Sequence, residues 1–369
     1  MLEKGKISAL QMGIMMYPTI MATAILFVPA ITMEHAKRDM WMSPIWASLV
    51  GFLTVYIAFQ LNNLYPKQTI IQYTAHILGV IPGKAIGFIF LFFYLHVTGA
   101  ILREYTEFVV SAFLSRTPMI VVLGSMTLAC AFAVRAGVEV LGRLAEMIVP
   151  ILILLLLSVI LLLLPDFRTK HMFPIMENGI MPSIRGALTP QAWFTEFILM
   201  SFLLPFLTDR EKGMKWGMIS VFGVMLTLFL TNITVLLVFG GGAARMVYPV
   251  MAATRYISIA DFLEHLETIV MAIWVAGAFV KICVFYYSLA LGTAQWLNLS
   301  NYRPVVFPLG ILLVQFAIWT ASNESELAYF LATSGSLYLT AVQLVIPLFV
   351  LLVAYIRKRD GNNKEEHRR

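Results

Sequence analysis

Ten apolar runs of helical length alternate with short polar segments along this 369-residue chain. A helix needs about 20 apolar residues to cross a bilayer core of roughly 30 Å. Runs of this length, rather than alternating strands of roughly ten residues, favour helices over a barrel. The pattern therefore predicts an all-α integral membrane protein with ten transmembrane helices, at residues 10–33, 41–64, 84–114, 118–134, 144–164, 188–208, 214–240, 268–297, 304–321 and 334–356.

Two of these runs, the first and the sixth, contain helix-breaking or charged residues in their apolar stretch. The interruption in span one lies near Tyr17 to Ala24 and includes Pro18, and that in span six lies near Thr189 to Glu196. Paired interruptions are typical of transporters built from structural repeats that bind a solute at the membrane midplane. Ordinary proline kinks are the alternative explanation. We predict discontinuous helices in spans one and six.

The ten spans divide into two sets of five near Pro165 to Gly186. An odd number of spans in each repeat makes the two halves inverted relative to each other. This division predicts one membrane domain, 1–369, with a first repeat at 7–165, a second repeat at 187–357 and a basic cytoplasmic tail at 358–369.

Composition and charge agree with a membrane protein. Hydrophobic residues make up 60% of the chain and charged residues 12%, which excludes a soluble domain of this length. With the N-terminus inside, the inner segments hold sixteen of the 26 Lys and Arg residues and the outer segments eight. The positive-inside rule therefore places both termini in the cytoplasm. These inner Lys and Arg residues account for the net charge of +6 through contact with membrane lipid, so the charge does not require a nucleic-acid partner.

Motifs of catalysis and of metal or cofactor binding are missing from the sequence. It contains no H-E-x-x-H, P-loop or G-x-S-x-G pattern, and its two cysteines, Cys130 and Cys283, form no motif. We therefore predict no enzymatic activity, no catalytic residues, no cofactor and no metal site.

Lys281 is the sharpest candidate for a functional residue, because it lies near the middle of span eight with no charged residue close in sequence. A charge at this depth costs roughly 2.5–3.5 kcal/mol on insertion scales unless it meets water or a partner. It could hold the carboxylate of a ligand, occupy the place of a coupling sodium ion or release a proton. A purely structural ion pair with Glu196 or Glu107 is the alternative, and Glu196 could instead receive a ligand ammonium.

Other candidates depend on their position beside the interruptions or beside Lys281. Arg103 and Glu107 are four residues apart in span three, so they can pair on one helix face as a structural or ion-coupling charge pair. His96, near the middle of the same span, could hydrogen-bond a ligand or could be a packing residue. The remaining ligand-binding candidates are Tyr17, Thr19, Ala22, Thr23, Phe194, Phe285 and Tyr287.

Several short segments, taken in their order and spacing, carry a resemblance to a known family. They are Tyr17-Pro18-Thr19 to Phe27-Val28-Pro29, Arg103-Glu104 to Glu107, Arg116-Thr117-Pro118, Tyr248-Pro249, Phe262-Leu263-Glu264-His265-Leu266-Glu267 and Trp274. From about Ile7 to Arg359 the chain resembles the spore germination permease family, the B subunits of endospore germinant receptors. That family belongs to the amino acid, polyamine and organocation transporter superfamily.

The resemblance implies a LeuT-like 5+5 inverted-repeat fold with a pocket between spans one, three, six and eight. It also implies a small germinant such as an amino acid, A-type and lipoprotein C-type partner subunits, and the inner membrane of the endospore. Where the superfamily usually has a glycine-rich break in span one, this chain has Ala22-Thr23-Ala24. That departure leaves less room for a carboxylate against the backbone.

Three functional classes follow from these observations. A germinant sensor would bind its ligand and pass a conformational change to partner subunits. A proton-coupled amino-acid transporter would accumulate substrate, with Lys281 or Glu196 cycling a proton. An ion-conducting component would need a continuous polar path, which the scattered intramembrane charges support least.

Overall fold

The computed structural model describes residues 3–255 and 267–366, and the described chain is almost entirely helical. An acidic and apolar segment at 261–267, for which the sequence suggests a surface helix, lies outside the described residues except for Glu267. The α-helices are α1 (Ala9–Ala36), α2 (Ser43–Leu64), α3 (Ile70–Leu78), α4 (Val80–Ala112), α5 (Met119–Ala136), α6 (Val138–Leu162), α7 (Met181–Ala187), α8 (Gln191–Thr195), α9 (Met200–Leu203), α10 (Gly213–Phe239), α11 (Pro249–Thr254), α12 (Glu267–Trp296), α13 (Arg303–Thr320), α14 (Glu324–Phe330), α15 (Ser336–Thr340) and α16 (Ile346–Glu366).

Within the described residues, eight helical segments are long and apolar enough to cross a membrane. The first of these covers 56 residues, Ala9–Leu64, and contains both α1 and α2. A bent pair of shorter helices, Met181–Ala187 and Gln191–Phe206, raises the number to nine if the pair is one span. The all-helical membrane architecture predicted from the apolar runs is therefore confirmed.

The interruption predicted for span six is present. The axis bends by 52° between Met181–Ala187 and Gln191–Phe206, at a connection that contains Pro190. Beyond the bend, the chain alternates between short α-helices and 3-10 turns, one of which is Glu196–Leu199. Because 3-10 turns are tighter than α-helix, each change of winding turns the following side chains to a new direction.

The interruption predicted for span one is wrong. α1 runs as one helix from Ala9 to Ala36 with Pro18 and Pro29 inside it. A proline in a membrane helix is tolerated where neighbouring groups satisfy the freed backbone. The residues after Pro18 have side chains of moderate helix propensity and include no glycine, so the backbone has no reason to leave the helical region.

α1 and α12 lie at the centre of the bundle. α1 packs against α10, α12, α6 and α7, while α12 packs against α4, α1, α6 and α5. Gly13 permits the close approach of α1 to α10, since a Cβ there would lie 2.9 Å from the carbonyl oxygen of Trp216. The two central helices therefore have little water-accessible surface, and polar side chains between them must find partners in the protein.

The segment before α1 is fastened to one end of the bundle. The buried Glu3 carboxylate accepts hydrogen bonds from the amides of Lys4, Gly5 and Val138, at 2.8, 2.7 and 3.3 Å, and from the hydroxyl of Tyr302 at 3.0 Å. Val138 opens α6 after Gly137, whose φ of +108° only glycine adopts easily. Glu3 thereby joins the α5–α6 corner to the start of α13.

The same segment is also joined to the chain that follows the broken helices. Ile7 pairs with the backbone of Phe206 and Thr208 at 3.1 and 2.9 Å. The amide of Ala9 donates to Asp209 at 2.7 Å, and this hydrogen bond lowers the pKa of the Asp209 carboxyl. One short segment thus fixes the positions of α1, α6, α13 and the residues after α9.

Replacing Glu3 by alanine should destabilise the protein, because a hydrogen bond to a charged group contributes about 1.5–3 kcal/mol and several would be lost together. We expect a loss of at least about 2 kcal/mol in the free energy of unfolding, measured by SDS titration of the detergent-solubilised protein. Glu211→Ala is the matched control, since Glu211 is exposed. Equal stability of the two variants would contradict the role assigned to Glu3.

Candidate ligand-binding site

A buried ion pair joins the central helix α12 to the broken segment. Lys281 of α12 places its Nζ 2.7 Å from Oε2 of Glu196, the first residue of a 3-10 turn in the broken segment. The side chains of Lys281 and Glu196 are 0% and 2% exposed. The structure thus brings together the lysine and the partner that the sequence suggested for it, and Glu107 lies in a different pair.

Thr23 of α1 completes the contacts of the lysine. Its Oγ1 accepts a hydrogen bond from Lys281 Nζ at 2.8 Å and a second from the indole N–H of Trp193 at 2.9 Å. Lys281 Nζ also lies 5.3 Å from the centre of the Phe285 ring, within the range of a cation–π contact. One ammonium group therefore links α1, α12 and the broken segment.

Unsatisfied polar atoms surround this pair. Oε1 of Glu104, Oη of Tyr94 and Nε2 of Gln343 are buried and have no hydrogen-bond partner in the part of the chain that the structure describes. Glu104 interacts electrostatically with Lys281 and Glu196, and Tyr94 interacts with Glu196. Gln343 accepts a hydrogen bond from Thr195, next to Glu196, at 3.3 Å. Buried polar groups in native proteins are usually paired, so these atoms are free to bond a water molecule, an ion or a ligand.

The predicted residues of span one divide between two surfaces of α1. Thr23 faces the ion pair, whereas the Thr19 hydroxyl donates to the carbonyl of Met15 in its own helix at 2.7 Å. Ala22 and Tyr17 line a cavity of about 40 Å³ between α1, α6 and α12, together with Trp274 and Gly277. Tyr17 also hydrogen-bonds Thr227 of α10 at 2.9 Å. A cavity of this size holds about one water molecule, so it admits no amino acid in this conformation.

Three other predicted residues lie apart from the ion pair. Phe194 packs against Gly51 of α2, where an added Cβ would come within 2.7 Å of its ring. Tyr287 packs against Tyr302, with ring centres 5.7 Å apart, near the Glu3 contacts. His96 lies between Phe316, Phe330 and Tyr338, with ring centres 5.6–6.5 Å away.

The pair predicted between Arg103 and Glu107 is present on α4. The guanidinium Nε and Nη2 of Arg103 reach Oε1 of Glu107 at 2.9 and 2.6 Å. Arg103 also donates to the carbonyl of Ser322 beyond α13 at 3.2 Å. This pair is satisfied within the protein and fastens α4 to the connection between α13 and α14.

Sequence reasoning did not assign Glu104, Trp193 or Gln343 to the site. Glu104 is adjacent to Arg103, and the sequence alone assigns it no partner. Trp193 lies three residues before Glu196 and one turn after Pro190, so its position beside the predicted interruption was a usable signal. Gln343 carries no comparable signal, because it reaches Thr195 only through tertiary packing.

Comparison with known families identifies the chain. A family described as "Spore germination protein" matches residues 6–325. The chain belongs to this spore germination permease family. The match covers most of the chain, and with the apolar helices it identifies an integral membrane protein.

Curated relatives of similar length share this membership. Spore germination protein KB of Bacillus subtilis (strain 168) is 26% identical over 99% of both chains. Spore germination protein YndE of the same organism is 24% identical over 96% of this chain and 98% of the relative. Spore germination protein XB of Bacillus anthracis is 25% identical over 89% and 91%.

Solved structures of transporters share the fold. A Na⁺-coupled sialic acid symporter, substrate-bound and outward-open, has a TM-score of 0.63 at 13% identity over 92% of this chain and 80% of its own. MhsT in complex with L-phenylalanine has a TM-score of 0.61 at 11% identity over 96% and 99%. A nucleobase-cation-symport-1 family transporter in a closed conformation has a TM-score of 0.58 at 13% identity, over 94% of this chain and 78% of its own. These similarities establish the LeuT fold.

The ion pair should behave as a coupled unit in a double-mutant cycle. Lys281→Met leaves Glu196 as an uncompensated buried charge, and breaking a buried pair in this way destabilises by about 3–5 kcal/mol. Lys281→Met combined with Glu196→Gln removes both charges, so we expect it to lose less stability than Lys281→Met alone. The free energy of unfolding is measured by SDS titration for Lys281→Met, for Glu196→Gln and for the double variant. Additive losses would show that the two charges do not depend on each other.

Proposed function

We propose that this chain is the membrane-embedded B subunit of a spore germination receptor and senses a small germinant of the amino-acid class. The observation that carries the proposal is the buried Lys281–Glu196 pair with Thr23, at the junction of α1, α12 and the broken segment. In a LeuT fold, a solute site near the membrane midplane is built from such interrupted helices. Family membership supplies the link to germination.

The proposed topology has ten spans arranged as two inverted repeats of five. The 56-residue segment Ala9–Leu64 would be about 84 Å long as one helix, nearly three times a bilayer core of roughly 30 Å. We therefore count α1 and α2 as two spans, and the bent pair Met181–Phe206 as one. The surplus of Lys and Arg on one side then places both termini in the cytoplasm.

Ligand binding at this site would act on the ion pair. A ligand carboxylate would compete with Glu196 for Lys281, and that exchange would free the 3-10 turn at Glu196 to move. Because Trp193 and Thr23 share the same hydrogen-bond network, the change would reach α1 as well. The sensor would pass this movement to an A-type subunit and a lipoprotein C-type subunit in the inner membrane of the endospore.

A proton-coupled amino-acid transporter is the second candidate. Its support is the similarity in fold to symporters, together with buried ionisable groups at the site. Both functions use the same pocket, and they differ in whether the ligand crosses the membrane.

Thr23→Val should weaken the response to germinant while leaving the shape of the side chain unchanged. The lost hydrogen bond to a charged group corresponds to about 1.5–3 kcal/mol, or roughly tenfold to hundredfold in half-maximal germinant concentration. The measurement is the germination rate of spores whose only copy of this chain is the variant, with each proteinogenic amino acid in turn. Thr19→Val is the matched control, since that hydroxyl bonds only within α1. An unchanged response in Thr23→Val spores would remove α1 from the site.

Uptake into proteoliposomes separates sensor from transporter. For a sensor, we expect the purified chain to accumulate no labelled amino acid from a mixed pool, with or without an inward proton gradient. The protein must be shown to be folded and inserted in the same vesicles. Gradient-driven accumulation would favour the transporter and make Lys281 and Glu196 the candidates for proton coupling.

A further inference from the structure

Glu104 of α4 is a buried carboxylate without a partner. Glu104 is only 4% exposed, and its Oε1 makes no hydrogen bond within the described residues. Among residues 3–255 and 267–366, no Lys, Arg or His nitrogen lies within ion-pair distance of it. An uncompensated charge in this position is strongly unfavourable.

The charged groups that face Glu104 come from other elements. They are Lys281 of α12 and Glu196 of the broken segment, both of which interact electrostatically with Glu104. On α4 itself, Arg103 and Glu107 pair with each other. The thiol of Cys130 on α5 contacts the carbonyl oxygen of Phe279, and Tyr105 of α4 interacts electrostatically with that thiol. Tyr94 lies ten residues earlier on α4, about 15 Å along the helix axis, and interacts electrostatically with Glu196.

When both carboxylates are ionised, the charges at the site do not balance. Lys281 donates to Glu196 at 2.7 Å, so its single positive charge is already used by one of the two carboxylates. Glu104 leaves one negative charge without a counter-charge when both carboxylates are ionised. A neutral or zwitterionic ligand adds no net charge, so it does not correct this imbalance by itself.

We propose that Glu104 is the receptor for one monovalent cationic group that enters the site during ligand binding. The group is either the ammonium of an amine that carries a net positive charge, or a monovalent metal ion that binds together with the ligand. If the group is an ammonium, Glu104 is the residue that selects for an amine, because the charge of Glu196 is already neutralised by Lys281. This inference rests on the proposed function, since it assigns a role within the same site.

The test measures the melting temperature of the purified chain in lipid nanodiscs. Methylammonium, Na⁺ and K⁺ are each titrated against choline at constant ionic strength. For the wild type we expect saturable stabilisation by at least one of the three probes. A hundredfold excess over the Kd should raise the folding equilibrium constant about a hundredfold. Stabilisation by methylammonium alone identifies the organic ammonium as the source, and stabilisation by Na⁺ or K⁺ identifies the metal ion.

Glu104→Gln keeps the shape of the side chain and removes its charge. We expect this variant to be at least as stable as the wild type in choline and to show no stabilisation by any probe. Glu139→Gln is the matched control, since Glu139 is an exposed carboxylate that pairs with Arg143 on α6, and it should respond as the wild type does. Equal stabilisation of wild type and Glu104→Gln, or no stabilisation of the wild type by any probe, would overturn the proposal.

A second measurement needs no variant. A membrane-permeant carbodiimide labels buried carboxyl groups, and mass spectrometry locates the label in the wild-type chain. The stabilising probe should protect Glu104 and leave the labelling of Glu139 unchanged. Unchanged labelling of Glu104 at a saturating concentration of that probe would also overturn the proposal.

Single amino acids in the same melting assay separate this inference from the proposed function. If they stabilise the wild type and Glu104→Gln equally, the ligand site stands and the role of Glu104 falls. If methylammonium stabilises the wild type through Glu104 while no amino acid does, the cation site stands and the amino-acid germinant falls.

Discussion

The salt bridge between Lys281 and Glu196 is the interaction on which the interior of this protein depends. An isolated lysine in the middle of a membrane helix costs roughly 2.5–3.5 kcal/mol on insertion scales. The chain offsets that cost by bringing a carboxylate to 2.7 Å and a hydroxyl to 2.8 Å. Both come from other elements, so α12 is stable in its position only when α1 and the broken segment are in theirs.

The broken segment presents this carboxylate at a change of winding. Glu196 begins a 3-10 turn immediately after the five-residue helix α8, beyond a 52° bend in the chain. Trp193 and Glu196 are three residues apart, a spacing that keeps side chains on one helix face and that 3-10 winding aligns more closely. Both side chains therefore reach the same network, Glu196 at Lys281 and Trp193 at Thr23 of α1. The bent segment and the charged site are thus parts of one arrangement.

The sequence was sufficient to predict the features that follow from the length and periodicity of apolar runs and from the free-energy cost of a buried charge. Apolar runs of about 20 residues predicted the membrane helices, and the isolated charge predicted that Lys281 needs a partner. The interruption of span six followed from Pro190 and Glu196, both of which disfavour a plain membrane helix. Span one was misread because Pro18 was treated as a break, although a proline inside a packed membrane helix needs only local compensation.

The remaining site residues depend on tertiary packing that no local pattern contains. Glu104 and Glu107 have the same chemistry and lie three residues apart, yet one is unpaired beside Lys281 and the other pairs with Arg103. Their difference arises from which neighbouring helix each one faces. Gln343 belongs to an element more than a hundred residues away from Thr195, the residue it contacts. Such relations become visible only when the helices are placed together.

The free energies of the interactions at the site determine what a ligand must supply. Separating a buried ion pair without replacing either partner costs about 3–5 kcal/mol. Moving a two-state protein from 1:99 to 99:1 requires about 5.5 kcal/mol of preferential binding to one state. These two values are similar, so a ligand that only separates Lys281 from Glu196 would use most of its binding energy without shifting the populations. A zwitterionic ligand whose carboxylate binds Lys281 and whose ammonium binds Glu196, together with a monovalent cation at Glu104, would leave no charge at the site unpaired. On the proposed function, the site would therefore select for a ligand and a cation that leave no buried charge without a partner.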